Sequence, residues 1–254
     1  MAIIPSIPQE IIDEILSHID ADSEPWSLRS CALVSKSWLP SCRRHLFYTI
    51  YFAWVDVGRW LETFPVPEES PAHHVKDLCL SVKPYDAPRL DAFSKHILWF
   101  TNVESLTLIG RWGLPPSPSR LPPSATSLTL NPGSVTLVRV RDALAQLPNL
   151  DSLSLSGSLN PMGKRALLGI GVPLKGRFGG RLQLLEGFAP SHEDVVNMLL
   201  EIPTGLRFTE IRIRGACECP LPIVRLVEAC GTTLVKLSYT ASSRCESRLS
   251  SWSE

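Results

Sequence analysis

The chain has 254 residues, 44% of them hydrophobic, with 25 basic and 25 acidic side chains. That balance excludes bulk attraction to nucleic acid or to an anionic membrane surface. The length accommodates one large domain or a small module followed by a larger one, and 22 prolines break the chain often without disordering it, since aliphatic residues stay plentiful.

The first predicted element is an amphipathic helix. Pro8 suits its first turn, where a missing N–H has no intrahelical partner to lose. Glu10, Asp13 and Glu14 follow where carboxylates favour the positive helix end. Ile11, Ile12, Ile15, Leu16 and Ile19 recur at helical spacing, making a stripe too wide for so short a segment to cover. A second helical pattern places Leu28, Cys31, Ala32, Val34 and Trp38 on another apolar surface, which Leu33 joins. About fifty residues are marginal for an independent core, so the surplus apolar surface needs a partner or the rest of the chain.

The order Ile7-Pro8, Ile11-Ile12 and Leu33-Val34-Ser35-Lys36-Ser37-Trp38 resembles an F-box. Cys42-Arg43-Arg44-His45-Leu46-Phe47 resembles the exit of many fungal-type members, although Ile7 stands where the family usually has Leu. The resemblance implies a helical module over residues 1–50 that docks on a Skp-type adaptor and, through it, on a cullin ligase. Carried over position by position, it implies adaptor contacts at Ile7, Pro8, Ile11, Ile12, Ile15, Leu33, Val34 and Trp38, with the division between contact and internal core left open.

Beyond residue 50 a short motif returns: VKDLCLSV at 75–82, VESLTLIG at 103–110, ATSLTLNP at 125–132 and LDSLSLSG at 150–157. Weaker copies are GGRLQLLEG at 179–187, FTEIRIRG at 208–215 and LVKLSYTA at 234–241. Aligned on Leu78, Leu106, Leu128, Leu153, Leu182, Ile211 and Leu237, they are separated by 28, 22, 25, 29, 29 and 26 residues. Alternating aliphatics mark strands with one buried face, and intervals in the twenties match one strand per leucine-rich coil. Helical stripes fill the gaps: Leu90, Phe93, Ile97 and Phe100; Val140, Leu144 and Leu147; Val195, Val196, Leu199 and Leu200 behind a Ser191–Asp194 capping box; and Leu221, Val224, Val227 and Cys230, closed by Gly231. Strand followed by helix, always in that order, predicts a parallel sheet with helices on one side. The expected fold class is α/β, a helical module followed by an irregular leucine-rich-repeat-like solenoid over 51–254. Its last twelve or so residues are expected to fray. An asparagine ladder does not recur, so the coils read as degenerate.

Chemical motifs fail on physical grounds. Gly171–Gly176 lacks the Lys-Ser/Thr pair of a phosphate loop, and position 196 is Val where a zinc-protease helix needs its second His. Cys217-Glu218-Cys219 is one residue short of a metal knuckle, and His73-His74 has no ligand nearby in sequence. The expectation is a non-catalytic chain with no cofactor and no metal. No apolar run reaches the roughly 20 residues of a spanning helix, and the opening lacks the basic start of a secretory signal. Seven cysteines, several inside apolar patterns, fit a reducing cytoplasm or nucleus.

Side chains lying between the buried aliphatics project from the open sheet face. They are small and nearly uncharged in the first four coils, whereas the last three gather Arg181, Arg212 and Arg214. Arginine forks suit carboxylate or phosphate, which makes these three candidate contacts for an acidic or phosphorylated protein target. The whole then reads as a substrate-recognition subunit of a Skp–cullin–F-box ubiquitin ligase, with no role in nucleic-acid or membrane binding. A repeat scaffold without ligase role, or a truncated inactive F-box protein, is the alternative.

Overall fold

The computed structural model describes residues 7–21, 23–82, 96–110, 121–131, 137–157, 178–185, 192–202, 205–216 and 221–241. Three short helices come first: α1 (Gln9–Ser17), α2 (Pro25–Ala32) and α3 (Leu39–Leu46). Proline marks each start. Pro8 caps α1 with its carbonyl, which accepts from the N–H groups of Ile11 and Ile12 at 3.1 and 3.3 Å, and Pro25 and Pro40 occupy first-turn positions where no helical donor is lost. Ile12, Leu16, Leu28 and Cys42 form a small separate core, with Ile19, Cys31, Ala32, Trp38 and Leu46 packed against it. The pattern read from Leu28 to Trp38 as one helical stretch is broken after Ala32. The Ser35 and Ser37 hydroxyls lie 2.6 Å apart and the Ser37 N–H donates to Ser35 Oγ. Such local bonds offer the backbone an alternative to the helix.

A polar clasp joins α1 to α3. Ser41, which is buried, donates to Asp13 Oδ1 and accepts from Gln9 Nε2 at 2.7 Å. Gln9 also donates to Asp13 at 3.1 Å, and Arg44 Nη1 lies 3.5 Å from Asp13 Oδ2. The Ser41 and Gln9 hydrogen bonds, then the Arg44 charge, hold the Asp13 carboxyl below its ordinary value. Its contribution to the clasp is therefore present above the ordinary carboxylate range and is lost as pH falls through the lowered value.

Eight parallel strands follow: β1 (Thr49–Ala53), β2 (Asp77–Val82), β3 (Ser105–Gly110), β4 (Ser127–Asn131), β5 (Ser152–Leu155), β6 (Phe178–Leu184), β7 (Leu206–Ala216) and β8 (Lys236–Ala241). They form one sheet in strict chain order. The aligned aliphatics are register partners from end to end: Leu78, Leu106, Leu128, Leu153, Leu182, Ile211 and Leu237. Five strands, β2 to β6, bury both of their alternating leucines. Each fully buried leucine contributes about 1.5–3 kcal/mol of transfer free energy, enough to fix the register, because a slip of one residue would expose the whole set.

The coils share a backbone device. The Tyr48 carbonyl accepts from the N–H groups of Lys76 and Asp77, that of Lys76 from Glu104 and Ser105, that of Glu104 from Thr126 and Ser127, and that of Thr126 from Asp151 and Ser152, at 2.7–3.0 Å. One carbonyl serving two successive donors at each strand entry is what identical neighbouring turns produce. The staircase changes at Gly180, where the β6–β7 register shifts and only Arg181 N–H reaches the Asp151 carbonyl, at 2.7 Å.

Helices α4 (Trp54–Thr63), α5 (Leu137–Ala145), α6 (His192–Leu200) and α7 (Leu221–Cys230) supply the other layer. Helix α4 packs on β1 and β2, α6 and α7 pack on β7, and α5, α6 and α7 pack in succession. Val140, Leu144, Leu147, Val195, Val196 and Leu199 are buried as their spacing predicts. Gly231 closes α7 with a positive φ of 24°.

Three sequence expectations need revision or restriction. Strand β1 was not anticipated; Ile50 and Phe52 are buried in it and pair with Leu78 and Leu80. The buried stripe of α7 runs through Ile223, Leu226 and Cys230, leaving Leu221 and Val224 exposed, because the helix turns its Ile223 side toward β7. Of the stripe at 90–100, Ile97 and Phe100 are buried around a single 3-10 turn, and Leu90 and Phe93 lie outside the described residues. So do Ser191, Cys217, Cys219 and residues 242–254, on which the capping-box, metal-knuckle and fraying expectations fall.

Candidate docking surfaces

The helical module leaves large apolar side chains exposed on α1 and in the turn after α2. Ile7, Ile11 and Ile15 are 50%, 51% and 43% exposed, and Leu33 and Val34, in the turn after α2, are 88% and 66% exposed. Pro8 is also exposed. The cause is geometric: α1 spends Ile12 and Leu16 on the small core, and its remaining isoleucines lie on the adjoining flank at the i, i+4 spacing. Ile12 is the exception in the expected contact set. At 1% exposure it holds α1 to the other helices and cannot reach another molecule. Trp38 is half-buried and packs against the same core.

Four exposed aromatics among the described residues, Trp26, Tyr48, Tyr51 and Tyr239, were not anticipated. Trp26 is 72% exposed, with the Arg29 guanidinium 4.8 Å from its ring centroid. Its sequence signal is the absence of an apolar residue at i+3 or i+4, positions held by Arg29 and Ser30. Tyr51, 56% exposed, stands on the open sheet face beside Cys79.

The open face is a floor of small side chains. Cys79, Thr107, Thr129, Ser154 and Gln183 are consecutive register partners, all half-buried. Burial pushes the Cys79 thiol up, as it does for Cys42 and Cys230, which favours the uncharged thiol. Near the first coil, burial and then the neighbouring Glu104 charge raise the Asp77 carboxyl.

The three expected arginines do share the distal end of that face, but not as free forks. Arg181 Nε lies 2.8 Å from Glu210 Oε2, and Arg212 Nη2 and Lys236 Nζ each lie 3.4 Å from Glu210 Oε1. Arg181, then Lys236, hold the Glu210 carboxyl below its ordinary value. Arg214 is exposed and has no ion-pair partner among the described residues. Sequence alignment already sets Glu210 between Arg181 and Lys236, as the register does, but singling out the arginines overlooked the carboxylate among them.

The His73 and His74 rings lie tilted at 50° with centroids 3.9 Å apart, and His73 Nδ1 is 3.0 Å from the Ser70 carbonyl. Among the described residues no three His, Cys, Asp or Glu side chains are gathered as metal ligands, and no helix is long and apolar enough to cross a membrane.

Comparison with known proteins places these surfaces in context. No curated protein matches the chain. The family model of the F-box domain matches residues 4–49, the stretch that spans α1, α2 and α3 and ends on the first residue of β1. The chain carries an F-box domain at its N-terminal end.

Proposed function

We propose that this chain is a substrate-recognition subunit of a Skp–cullin–F-box ubiquitin ligase, acting in the cytoplasm or nucleus. An F-box domain implies substrate recognition or protein interaction in such ligases, and the observation that carries the finer reading is the apolar flank that the helical module leaves uncovered. Ile7, Pro8, Ile11, Ile15, Leu33 and Val34 form the adaptor contact, while Ile12 and Trp38 hold the module together. Division near residue 50 separates this docking part from a leucine-rich-repeat-like region that receives the target. The fungal-type exit motif fits the same reading.

In this role the chain supplies position and no catalytic side chain. The adaptor fixes one end and the solenoid holds a target near a ubiquitin-loaded enzyme, so the gain is one of effective concentration. Arg181, Arg212 and Arg214 are the proposed target contacts. The test is to mix the purified chain with a Skp-type adaptor and follow the mixture by gel filtration with light scattering. A one-to-one complex is expected; two separate species at micromolar concentrations would remove the ligase reading.

A further inference from the structure

We propose that the distal end of the open face is an anchor for an extended, carboxylate-rich segment of a target polypeptide, with Glu210 as a built-in competitor for that segment. This rests on the reading of the sheet as the target-binding region, and adds to it the chemistry of the target and the residue that tunes its affinity.

Charge favours an anionic ligand. Three cations, Arg181, Arg212 and Lys236, contact a single carboxylate and Arg214 follows two residues beyond Arg212 on β7, so the cluster carries excess positive charge in a chain that is neutral as a whole. The side chains of Arg181 and Lys236 are 55% and 62% exposed, so they can turn to meet an incoming anion. Glu210 is different. Its side chain is 15% exposed, and the neighbouring strands present Arg181 and Lys236 on either side of it as register partners. It keeps the cations from repelling one another and occupies the place where an external carboxylate binds.

Spacing favours a row of carboxylates over a single phosphate. Arg212 and Arg214 alternate on β7, so their attachment points are about 6.6 Å apart, and Arg181 and Lys236 are two strand spacings apart, about 9.6 Å. Three of these cations already meet at the Glu210 carboxylate, whereas Arg214 continues the row along β7. Together they match acidic side chains repeating every second residue of an extended segment, since that segment has the same rise.

The test uses the full chain and fluorescence anisotropy with labelled ten-residue peptides: alternating Glu and Ser, alternating Lys and Ser, and a serine-rich peptide with one phosphoserine. Wild type should bind the Glu-Ser peptide, and more weakly as salt rises. Arg212→Glu with Arg214→Glu should weaken it at least about tenfold, and Glu210→Gln should tighten it at least about threefold, through loss of the internal competitor. Because two charge reversals on one strand can unfold it, Arg214→Gln with Lys236→Gln, both on exposed side chains, serves as a second variant with a loss of at least about threefold. The anchor is overturned if the Glu-Ser peptide does not bind, if the Lys-Ser or phosphoserine peptide binds more tightly, or if folded Glu210→Gln binds no better than wild type. Adaptor capture measured on the same preparations keeps the two readings apart. Peptide binding lost with capture intact refutes the anchor alone, and capture absent with peptide binding intact refutes the ligase role alone.

Discussion

Aspartate at both Ile11 and Leu33 is expected to weaken adaptor binding at least about 100-fold while leaving the fold intact. The two sites lie on different elements, α1 and the turn after α2, and both side chains are exposed. Substitutions at such positions usually change stability by no more than about 0.5 kcal/mol. Binding is another matter. A central interface residue contributes about 2 kcal/mol or more, and a carboxylate buried there without a partner adds a desolvation cost. A loss of 100-fold corresponds to about 2.7 kcal/mol, which two such changes exceed. Ile12→Asp is the instructive contrast. It also abolishes capture, but by unfolding the helical module, because Ile12 is 1% exposed in the small core. Calorimetric titration against the adaptor, alongside circular dichroism, separates the two. A double variant that binds within threefold of wild type would show that this flank is not the contact.

Gly180→Ala is expected to destabilise the repeat region by about 3 kcal/mol, lowering its melting temperature by about 6–12 °C for a chain of this size. Two costs combine. Gly180 has a φ of +63°, a conformation that costs an L-residue about 1–2 kcal/mol. A Cβ there would also lie 2.0 Å from the Asp151 carbonyl oxygen, the acceptor of the Arg181 N–H. Backbone atoms cannot step aside as a flexible side chain can, so the strand must move. That movement breaks the bulge, whose Gly180 carbonyl also accepts from Thr209 Oγ1 at 3.0 Å, and it pulls Arg181 out of register with Glu210. A thermal melt within 2 °C of wild type would mean that the bulge is not rigid. Gly58, where an added Cβ meets nothing within 4 Å, is the matched control and tolerates alanine.

How much of this was legible follows from which physical signals are local. The seven repeated strands were readable because Leu-x-Leu alternation and an interval in the twenties are written into the chain. Register followed, since only one alignment buries both leucines of β2 through β6. Strand β1 was missed because it carries Ile50 and Phe52 in place of leucines and follows directly on helical residues, so the repeat has no preceding copy to announce it. The α7 stripe was misplaced by one helix face because α7 is apolar on several sides, and only packing against β7 chooses Ile223 over Leu221. In the helical module the apolar excess was legible, but its division was not: Ile11 and Ile12 are adjacent and chemically identical, and the fold alone exposes one and buries the other. Glu210 was legible between Arg181 and Lys236 in the aligned row, and was overlooked because the arginines alone were singled out.

Docking on a Skp-type adaptor should cover the α1 flank and the Leu33–Val34 turn. Amide hydrogen exchange, followed residue by residue with and without that adaptor, measures this directly. Protection is expected at Leu33 and Val34, whose N–H groups bond only locally to the Ser30 and Cys31 carbonyls, and along α1, with strands β2 to β8 unchanged. Unaltered exchange at the turn and at α1 under saturating adaptor, or protection confined to the sheet, would contradict the account.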